Sequence, residues 1–432
     1  MFFRNLLKIF LRFFCQAALR KYHPFIIAVT GNTGKTSTKE AIFTLLKEKF
    51  KNARATPKNF NTDIGVPLAI LGLEDARRNL LKWIKNFLRA LRILIIDDRN
   101  FPKCLVLEIA ADKPGEIAYF AKFLPIDIGI VTTIGRHPVH LEFFPNRDRL
   151  IEEKAYLAKG IKRSGSAILN KDDADVSKMA SLVKKGVKIL FYGKNQQADI
   201  RFSEPEYNLE NGKILLKSQF WYQDQKFDLV LQNIIGEGNL YAISAALACG
   251  VLLDISLEEG IGILEKKLSS PLGRMKLIQG IKESLIIDDT YNASPLSYFN
   301  ALECVNNLKI QGRKIVVLGD MAELGEDSDI VQQKVVNQAM SFADVIVCVG
   351  PKMKNAFMAL KKKAKFLGKY YGQDESPKAV SLLTKIIQLN DLVFIKGAQV
   401  MRMERIVKNL MKNPESAKDM LVRQEEHWIN KP

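Results

Sequence analysis

The chain has 432 residues, 47% hydrophobic and 26% charged, which suffices for two or three domains with their own cores and excludes a disordered polymer. Five dispersed cysteines, Cys15, Cys104, Cys249, Cys304 and Cys348, form no Cys-x-x-Cys pair, which argues against a disulfide framework or a zinc site and fits a reducing cytoplasm. The formal charge of +18 admits nucleic acid, an anionic membrane or an anionic substrate, so its placement matters more than its size.

In chain order, residues 1–22 come first as a basic amphipathic helix. Arg4, Lys8, Arg12, Gln16 and Arg20 recur every four residues amid Phe2, Phe3, Leu6, Leu7, Phe10, Phe13 and Phe14. The bases break each apolar run well short of the ~20 residues a membrane span takes, and they deny the segment the unbroken apolar core of a signal peptide. The expected location is therefore cytoplasmic. Residues 25–30, FIIAVT, read as a β-branched strand, followed by a glycine-containing turn and a helical pattern over 37–50.

A second acid-free basic segment spans 77–94. There Arg78, Lys82, Lys85, Arg89 and Arg92 alternate with Leu81, Ile84, Leu88, Leu91 and Ile95, the spacing of an amphipathic helix. A core-packed helix with a solvated lysine face is the ordinary reading of such a run. Two acid-free basic helices with bulky apolar residues also suit the inner face of an anionic membrane, to which the protein would bind peripherally.

Buried strands are predicted at 104–110, 128–134, 166–170 and 188–193, separated by helical patterns, which implies a mainly parallel sheet covered by helices. Residues 200–231 read instead as short alternating strands with a turn at Asn211-Gly212, an antiparallel edge extension. A helix over 239–253 follows. After the Ser-Ser-Pro-Leu-Gly stretch at 269–273, strands recur at 284–290, 314–320, 343–350 and 391–397. The expected fold class is α/β: a P-loop-containing, mainly parallel central sheet domain over 23–269, with 77–94 as a basic insertion, then a smaller Rossmann-like α/β domain over 270–432.

The segment Gly31-Asn32-Thr33-Gly34-Lys35-Thr36 links the first strand to the first long helix. Backbone N–H groups of a glycine-rich turn at a helix N-terminus bind phosphate, because unpaired donors and the helix dipole both point at the anion. Lys35 would reach the outer phosphates and Thr36 would offer its hydroxyl to Mg²⁺. The position five before Gly34 is Val29 rather than the usual glycine, so the strand-and-helix context carries the reading; an ordinary strand-to-helix turn is the alternative.

The stretch TGNTGKTST (30–38) resembles the ATP-binding signature of the Mur ligase family, which is similar in fold and mechanism to folylpolyglutamate synthetase. KNFNTDIGVPLAIL (58–71), LEIAADKPGEI (107–117), DDTYNASP (288–295), LGDMAELG (318–325) and FIKGA (394–398) resemble the branch that adds D-alanyl-D-alanine to a UDP-muramoyl tripeptide. The likeness covers about residues 24–410, in order. It implies that ATP phosphorylates a carboxylate and that an amine, an amino acid or dipeptide, attacks the acyl phosphate on a small-molecule or peptide-bearing acceptor.

The same resemblance implies roles for individual residues. The nucleotide would be held by Gly31 to Ser37, that is Gly31, Asn32, Thr33, Gly34, Lys35, Thr36 and Ser37. Asn239 would contact adenine, Arg274 the phosphates, Asp289 the ribose, and Asn292 lies in the same loop as Asp289. Mg²⁺ would be held by Thr36 and Glu108 at one site, and by His140 and a carbamylated Lys154 at a second. Lys35, Lys154 and His140 would be catalytic, and Lys396 would anchor a substrate carboxylate. Read without the resemblance, Glu108 has the alternative of a capping or salt-bridging residue, Lys154 reads as a solvated helix lysine, His140 as a loop or core histidine, and Asn239 and Asn292 as structural. His137 competes for the imidazole role.

The sequence departs from the family pattern at Tyr156, where an acid is usual; at Gly238, where a histidine is usual; and at Ala398 and Gln399, where serine and arginine are usual. Family members usually carry a UDP-binding domain before the phosphate loop, whereas about two dozen residues precede the first strand here. Other readings are a ligase of the same fold acting on another polymer, such as poly-γ-glutamate, and a basic P-loop nucleotide-binding protein without ligase activity. Nucleic acid is not an expected partner, since no aromatic and basic RNA-reading motif is present.

Overall fold

The computed structural model describes residues 2–429 apart from 58–59, 78, 112, 136–142, 211–212, 323, 325–327, 361–366 and 372–375. His137, His140, Arg78 and the Asn211-Gly212 turn lie outside the described residues.

The first sheet is built from β1 (Phe25–Thr30), β2 (Ala53–Ala55), β3 (Cys104–Glu108), β4 (Ile128–Val131), β5 (Ser166–Asn170), β6 (Lys188–Gly193), β7 (Ile200–Phe202), β8 (Glu206–Glu210), β9 (Lys213–Tyr222) and β10 (Gln225–Gln232). Their order is β10-β9-β7-β6-β5-β4-β1-β3-β2, with β8 also on β9. From β2 to β7 every pairing is parallel. The pairings that involve β9 are antiparallel, with alternate residues of β9 buried, as one face on the core requires.

The second sheet comprises β11 (Lys276–Gln279), β12 (Leu285–Asp289), β13 (Lys314–Gly319), β14 (Val345–Val349), β15 (Leu367–Tyr371) and β16 (Leu392–Lys396), in the order β11-β12-β16-β13-β14-β15. It is parallel except for β11, which runs antiparallel to β12 at the edge. The α/β class expected from the alternation of strands and helices is what the chain forms.

Helices cover both faces of the first sheet. In chain order they are α1 (Phe2–Tyr22), α2 (Lys35–Lys49), α3 (Gly65–Leu71), α4 (Leu80–Ile95), α5 (Glu116–Ala121), α6 (Arg147–Gly160), α7 (Ala174–Lys178), α8 (Glu237–Val251) and α9 (Leu257–Lys267). Strand β1 shows why the sheet needs two coverings. Ile27 and Val29 pack into the core shared with α2, α8 and α9, whereas Ile26 and Ala28 pack into a second core with α1, α3, α5 and α6. Side chains that alternate across a central parallel strand are thus all apolar.

Helix α1 is a core element. Leu11, Phe14, Cys15, Ala18 and Leu19 are buried along one face. Helix α4 differs: only Asn86 and Ala90 are buried. The five cysteines are free thiols and all are buried.

Candidate active site

Strand β1 delivers Thr30 to a loop whose glycines are required by geometry. Gly31 has φ 141°, and a Cβ there would stand 2.0 Å from Thr132 Oγ1. Gly34 has φ 89° and forms the N-cap of α2 without any side-chain cap, so the first N–H groups of the helix face outward. The loop is pinned from β4's continuation: Asn32 and Thr33 N–H donate to Thr133 O at 2.7 and 3.1 Å, and Thr132 Oγ1 donates to Thr33 O at 2.7 Å. Lys35 Nζ curls over the loop and donates to Gly31 O and Asn32 O, both at 3.0 Å.

Glu108 ends β3, in register beside Val29 of β1, so its carboxylate emerges next to the loop. It is 7% exposed. Thr36 Oγ1 donates to Glu108 Oε2 at 3.0 Å and Asn61 Nδ2 donates to Oε1 at 3.2 Å. Arg274, from the segment that leads into β11, donates from Nη2 to Thr36 Oγ1 at 3.1 Å. Its guanidinium lies 4.4 Å over the Tyr291 ring, which fixes the planar group where only an arginine can both stack and donate.

The floor of the site is an ion pair between the ends of β12 and β16. Lys396 Nζ donates to Asp289 Oδ2 at 2.6 Å and to Asn292 O at 3.2 Å, and it lies 5.2 Å from the Tyr298 ring centre. Lys396 is 1% exposed. Burial pulls its pKa below the ordinary lysine value, and the neighbouring Asp289 carboxylate works against that shift. The other Asp289 oxygen accepts from Met275 N–H at 3.2 Å. Burial raises Asp288, beside it, to about 6, against the opposing hydrogen bonds from Thr290. Asn239, in the first turn of α8, donates from Nδ2 to Ile235 O at 2.8 Å.

These residues share one cleft of about 440 Å³ between the two sheets. Asn32, Thr33, Gly34, Lys35, Thr36, Ser37, Glu108 and Asn239 line it from one side, and Arg274, Asp289, Asn292 and Lys396 from the other. Gly31 lies beneath the loop rather than on the cleft wall. Lys154 is not a solvated helix lysine: it is 2% exposed on α6, and its Nζ donates to Ala111 O at 3.4 Å, three residues beyond Glu108. Its neighbour Glu153 holds α6 against α5, accepting from Gly115, Ile117 and Ala118 N–H at 2.8, 2.6 and 3.2 Å.

Two residues without a role assigned by the sequence motifs join the site: Asn61, which fixes Glu108, and Tyr291, on which Arg274 stacks. Both stand inside the segments at 58–71 and 288–295. Gly238 and Gln399, two of the unusual positions, also line the cleft. Among the described residues no three His, Cys, Asp or Glu side chains converge as a metal cage. The Thr36 hydroxyl and the Glu108 carboxylate, 3.0 Å apart at the mouth of a phosphate loop, are a suitable oxygen pair for Mg²⁺, which takes one or two protein ligands and completes its shell from phosphate and water.

Known proteins share the two domains that bound this cleft. The Mur ligase middle domain matches residues 86–250, and the Mur ligase glutamate ligase domain matches residues 273–399. A protein of Buchnera aphidicola named UDP-N-acetylmuramoyl-tripeptide–D-alanyl-D-alanine ligase is 29% identical over 391 residues, covering 90% of this chain and 76% of that protein. One of the same name from Bacillus subtilis is 26% identical over 404 residues, covering 92% and 78%. The crystal structure of MurF ligase from Thermotoga maritima in complex with ADP superposes with a TM-score of 0.75 at 28% identity, over 95% of this chain and 84% of that one. With both domain types present in order and relatives that match it nearly end to end, the chain belongs to the Mur ligase family.

Proposed function

We propose that the protein is an ATP-dependent, ADP-forming peptide ligase that adds D-alanyl-D-alanine to the terminal carboxylate of a UDP-N-acetylmuramoyl tripeptide in peptidoglycan precursor synthesis. The observation that carries this reading is the meeting of Thr36, Glu108 and Arg274, which joins a phosphate loop, a hard-cation ligand and an arginine from the second domain within 3.1 Å contacts.

The loop N–H groups, Lys35 and Ser37 would bind the ATP phosphates, Asn239 would meet the base and Asp289 the ribose, with Asn292 in the same loop. Thr36 and Glu108 would hold Mg²⁺, and the chemistry it would supply is neutralisation of phosphoryl charge. Lys154, if carbamylated, would supply an oxygen for a second cation together with His140, which lies outside the described residues. A carboxylate oxygen of the tripeptide takes the γ-phosphoryl group and ADP departs. The dipeptide amine then attacks the acyl carbon, the phosphate leaves with the carbon–oxygen bond pair, and the amine nitrogen gives up a proton. Arg274 steadies phosphate charge from the junction. Lys396 donates to Asp289 at 2.6 Å and to Asn292 O at 3.2 Å, so it would anchor a substrate carboxylate through its one remaining N–H rather than as an isolated cation.

The expected partners are these two substrates and, through the acid-free helices, an anionic surface. ADP release measured with UDP-muramoyl tripeptide and D-alanyl-D-alanine, each omitted in turn, tests the reading. Turnover only when both are present is the expected result. Turnover with glutamate in place of the dipeptide would move the assignment to another polymer, and no turnover with any amine would end it.

A further inference from the structure

We infer that α4, buttressed by α1, is an in-plane helix that docks the enzyme on an anionic lipid surface. Both basic helices suit an anionic surface by sequence, and the fold separates them. Three basic groups of α1 are engaged within the molecule: Lys8 and Arg4 pair with Asp63, and Arg12 lies 5.2 Å from the Tyr119 and Phe123 ring centres. Lys21 Nζ donates to the carbonyls of Ile93, Leu94 and Ile96 at 3.1, 3.2 and 2.9 Å, placing a cation on the C-terminus of α4. Phe87 of α4 stacks on Phe10 and meets Phe14 edge-on, at 4.8 and 5.7 Å. At its other end α4 is capped by Asn79, and Asn86 Nδ2 donates to Glu74 O at 2.8 Å. The helix is therefore fixed by one side only.

What α4 turns outward is apolar. Leu81 is 77% exposed, Leu88 58% and Ile95 72%, and with Ile84 and Leu91 they follow the three-and-four spacing of one helix stripe. Leu6, Ile9 and Phe13 of α1 are also exposed. A contiguous apolar stripe of this kind marks an interaction surface rather than ordinary solvent contact.

Charge identifies the partner. Lys82, Lys85, Arg89 and Arg92 form the adjoining stripe of α4, and the helix contains no acid; Arg89 alone has a salt bridge described, to Glu74 at 3.6 Å. An apolar stripe flanked by basic side chains fits the boundary between acyl chains and anionic headgroups, with the stems lying along the apolar layer and the charges reaching phosphate. No helix among the described residues is long and apolar enough to cross a membrane, so the geometry is that of lying on the surface.

This inference is independent of the ligase reading, because lipid binding needs no turnover. The full-length protein is floated with vesicles of phosphatidylcholine alone or of equal parts phosphatidylcholine and phosphatidylglycerol, at low and high salt. We expect flotation with the anionic vesicles only, weakened by salt. Lys82→Gln/Lys85→Gln/Arg92→Gln should lower the partition coefficient on the order of a hundredfold, about fivefold per charge. Leu88→Gln/Ile95→Gln should abolish flotation; both sites are solvent-exposed, so melting and ADP release serve as controls for folding. Protein that stays soluble with anionic vesicles at low salt overturns the inference, as does equal binding to both vesicle types. A dimer in gel filtration that Leu88→Gln/Ile95→Gln splits, with no flotation of the parent, would assign the stripe to a second copy instead.

Discussion

The Asp289–Lys396 pair gives a stability prediction whose size follows from burial. At 2.6 Å the two charges attract by about 6 kcal/mol at an effective dielectric constant near 20, and desolvation of each ion offsets several kcal/mol of that. The pair itself is thus worth little, but breaking it from one side is costly. Asp289→Asn leaves the Lys396 ammonium, 1% exposed, with neutral partners in place of its counter-ion: the new amide oxygen, a carbonyl and an aromatic face. The expected loss is about 3–5 kcal/mol of unfolding free energy in urea titration. Lys396→Met should cost less, since Asp289 borders the cleft and keeps the Met275 N–H. Asp289→Asn/Lys396→Met should recover most of the loss.

The pH dependence has a definite sign. Lys396 has a folded-state pKa below its unfolded value, so between the two the unfolded chain binds more protons and stability rises with pH. Removing Asp289 removes the carboxylate that raises this pKa, which widens that window downward. The deficit of Asp289→Asn relative to the double variant should therefore shrink as pH rises toward the unfolded lysine value of 10.5. Equal costs for the two single variants, or a loss below about 1 kcal/mol for Asp289→Asn, would refute the reasoning.

Four further outcomes are expected. Lys35→Ala should cut kcat in ADP release by at least about a hundredfold, because the ammonium sits on the phosphate loop, where it would meet the transferring charge. Arg274→Lys keeps the charge but loses the stacking on Tyr291 and the directed bond to Thr36, so turnover should fall by more than tenfold while urea unfolding shifts little. Gly31→Ala, with its Cβ 2.0 Å from Thr132 Oγ1 and φ at 141°, should destabilise by about 1–3 kcal/mol and weaken nucleotide binding in calorimetry. Asp63→Asn frees Lys8 and Arg4, which are partly exposed, so the cost should stay near about 1 kcal/mol; limited proteolysis should reveal it as faster cleavage within α1.

The fold class and the loop were legible because local chemistry announces them. FIIAVT followed by two glycines and Lys-Thr can be written by local rules alone, and the structure places β1, the loop and α2 where those rules expect. Elements that depend on distant partners were less legible. Strands β2 and β11 have three and four residues, too few for a period, and exist because β3 and β12 offer an edge. Asn61 reads as a loop polar residue until Glu108, 47 positions away, is seen to need a second donor. Lys396 looks like an available cation in sequence, and only the return of β16 beside β12 reveals its commitment to Asp289.

The two basic helices make the general point most sharply. Periodicity gives each an apolar stripe, but periodicity is blind to which side of the stripe another element will occupy. For α1 the answer is the core beneath it: Leu11, Phe14, Cys15, Ala18 and Leu19 join the cluster that holds Ile26 and Ala28, and Lys8, Arg12 and Lys21 meet an anion, rings and carbonyls of the same chain. For α4 the same sequence grammar ends in solvent, because α1 has already covered the core that α4 could have used. Amphipathicity in a sequence therefore identifies a surface that must be covered, and only the packing order decides whether the cover comes from within the chain.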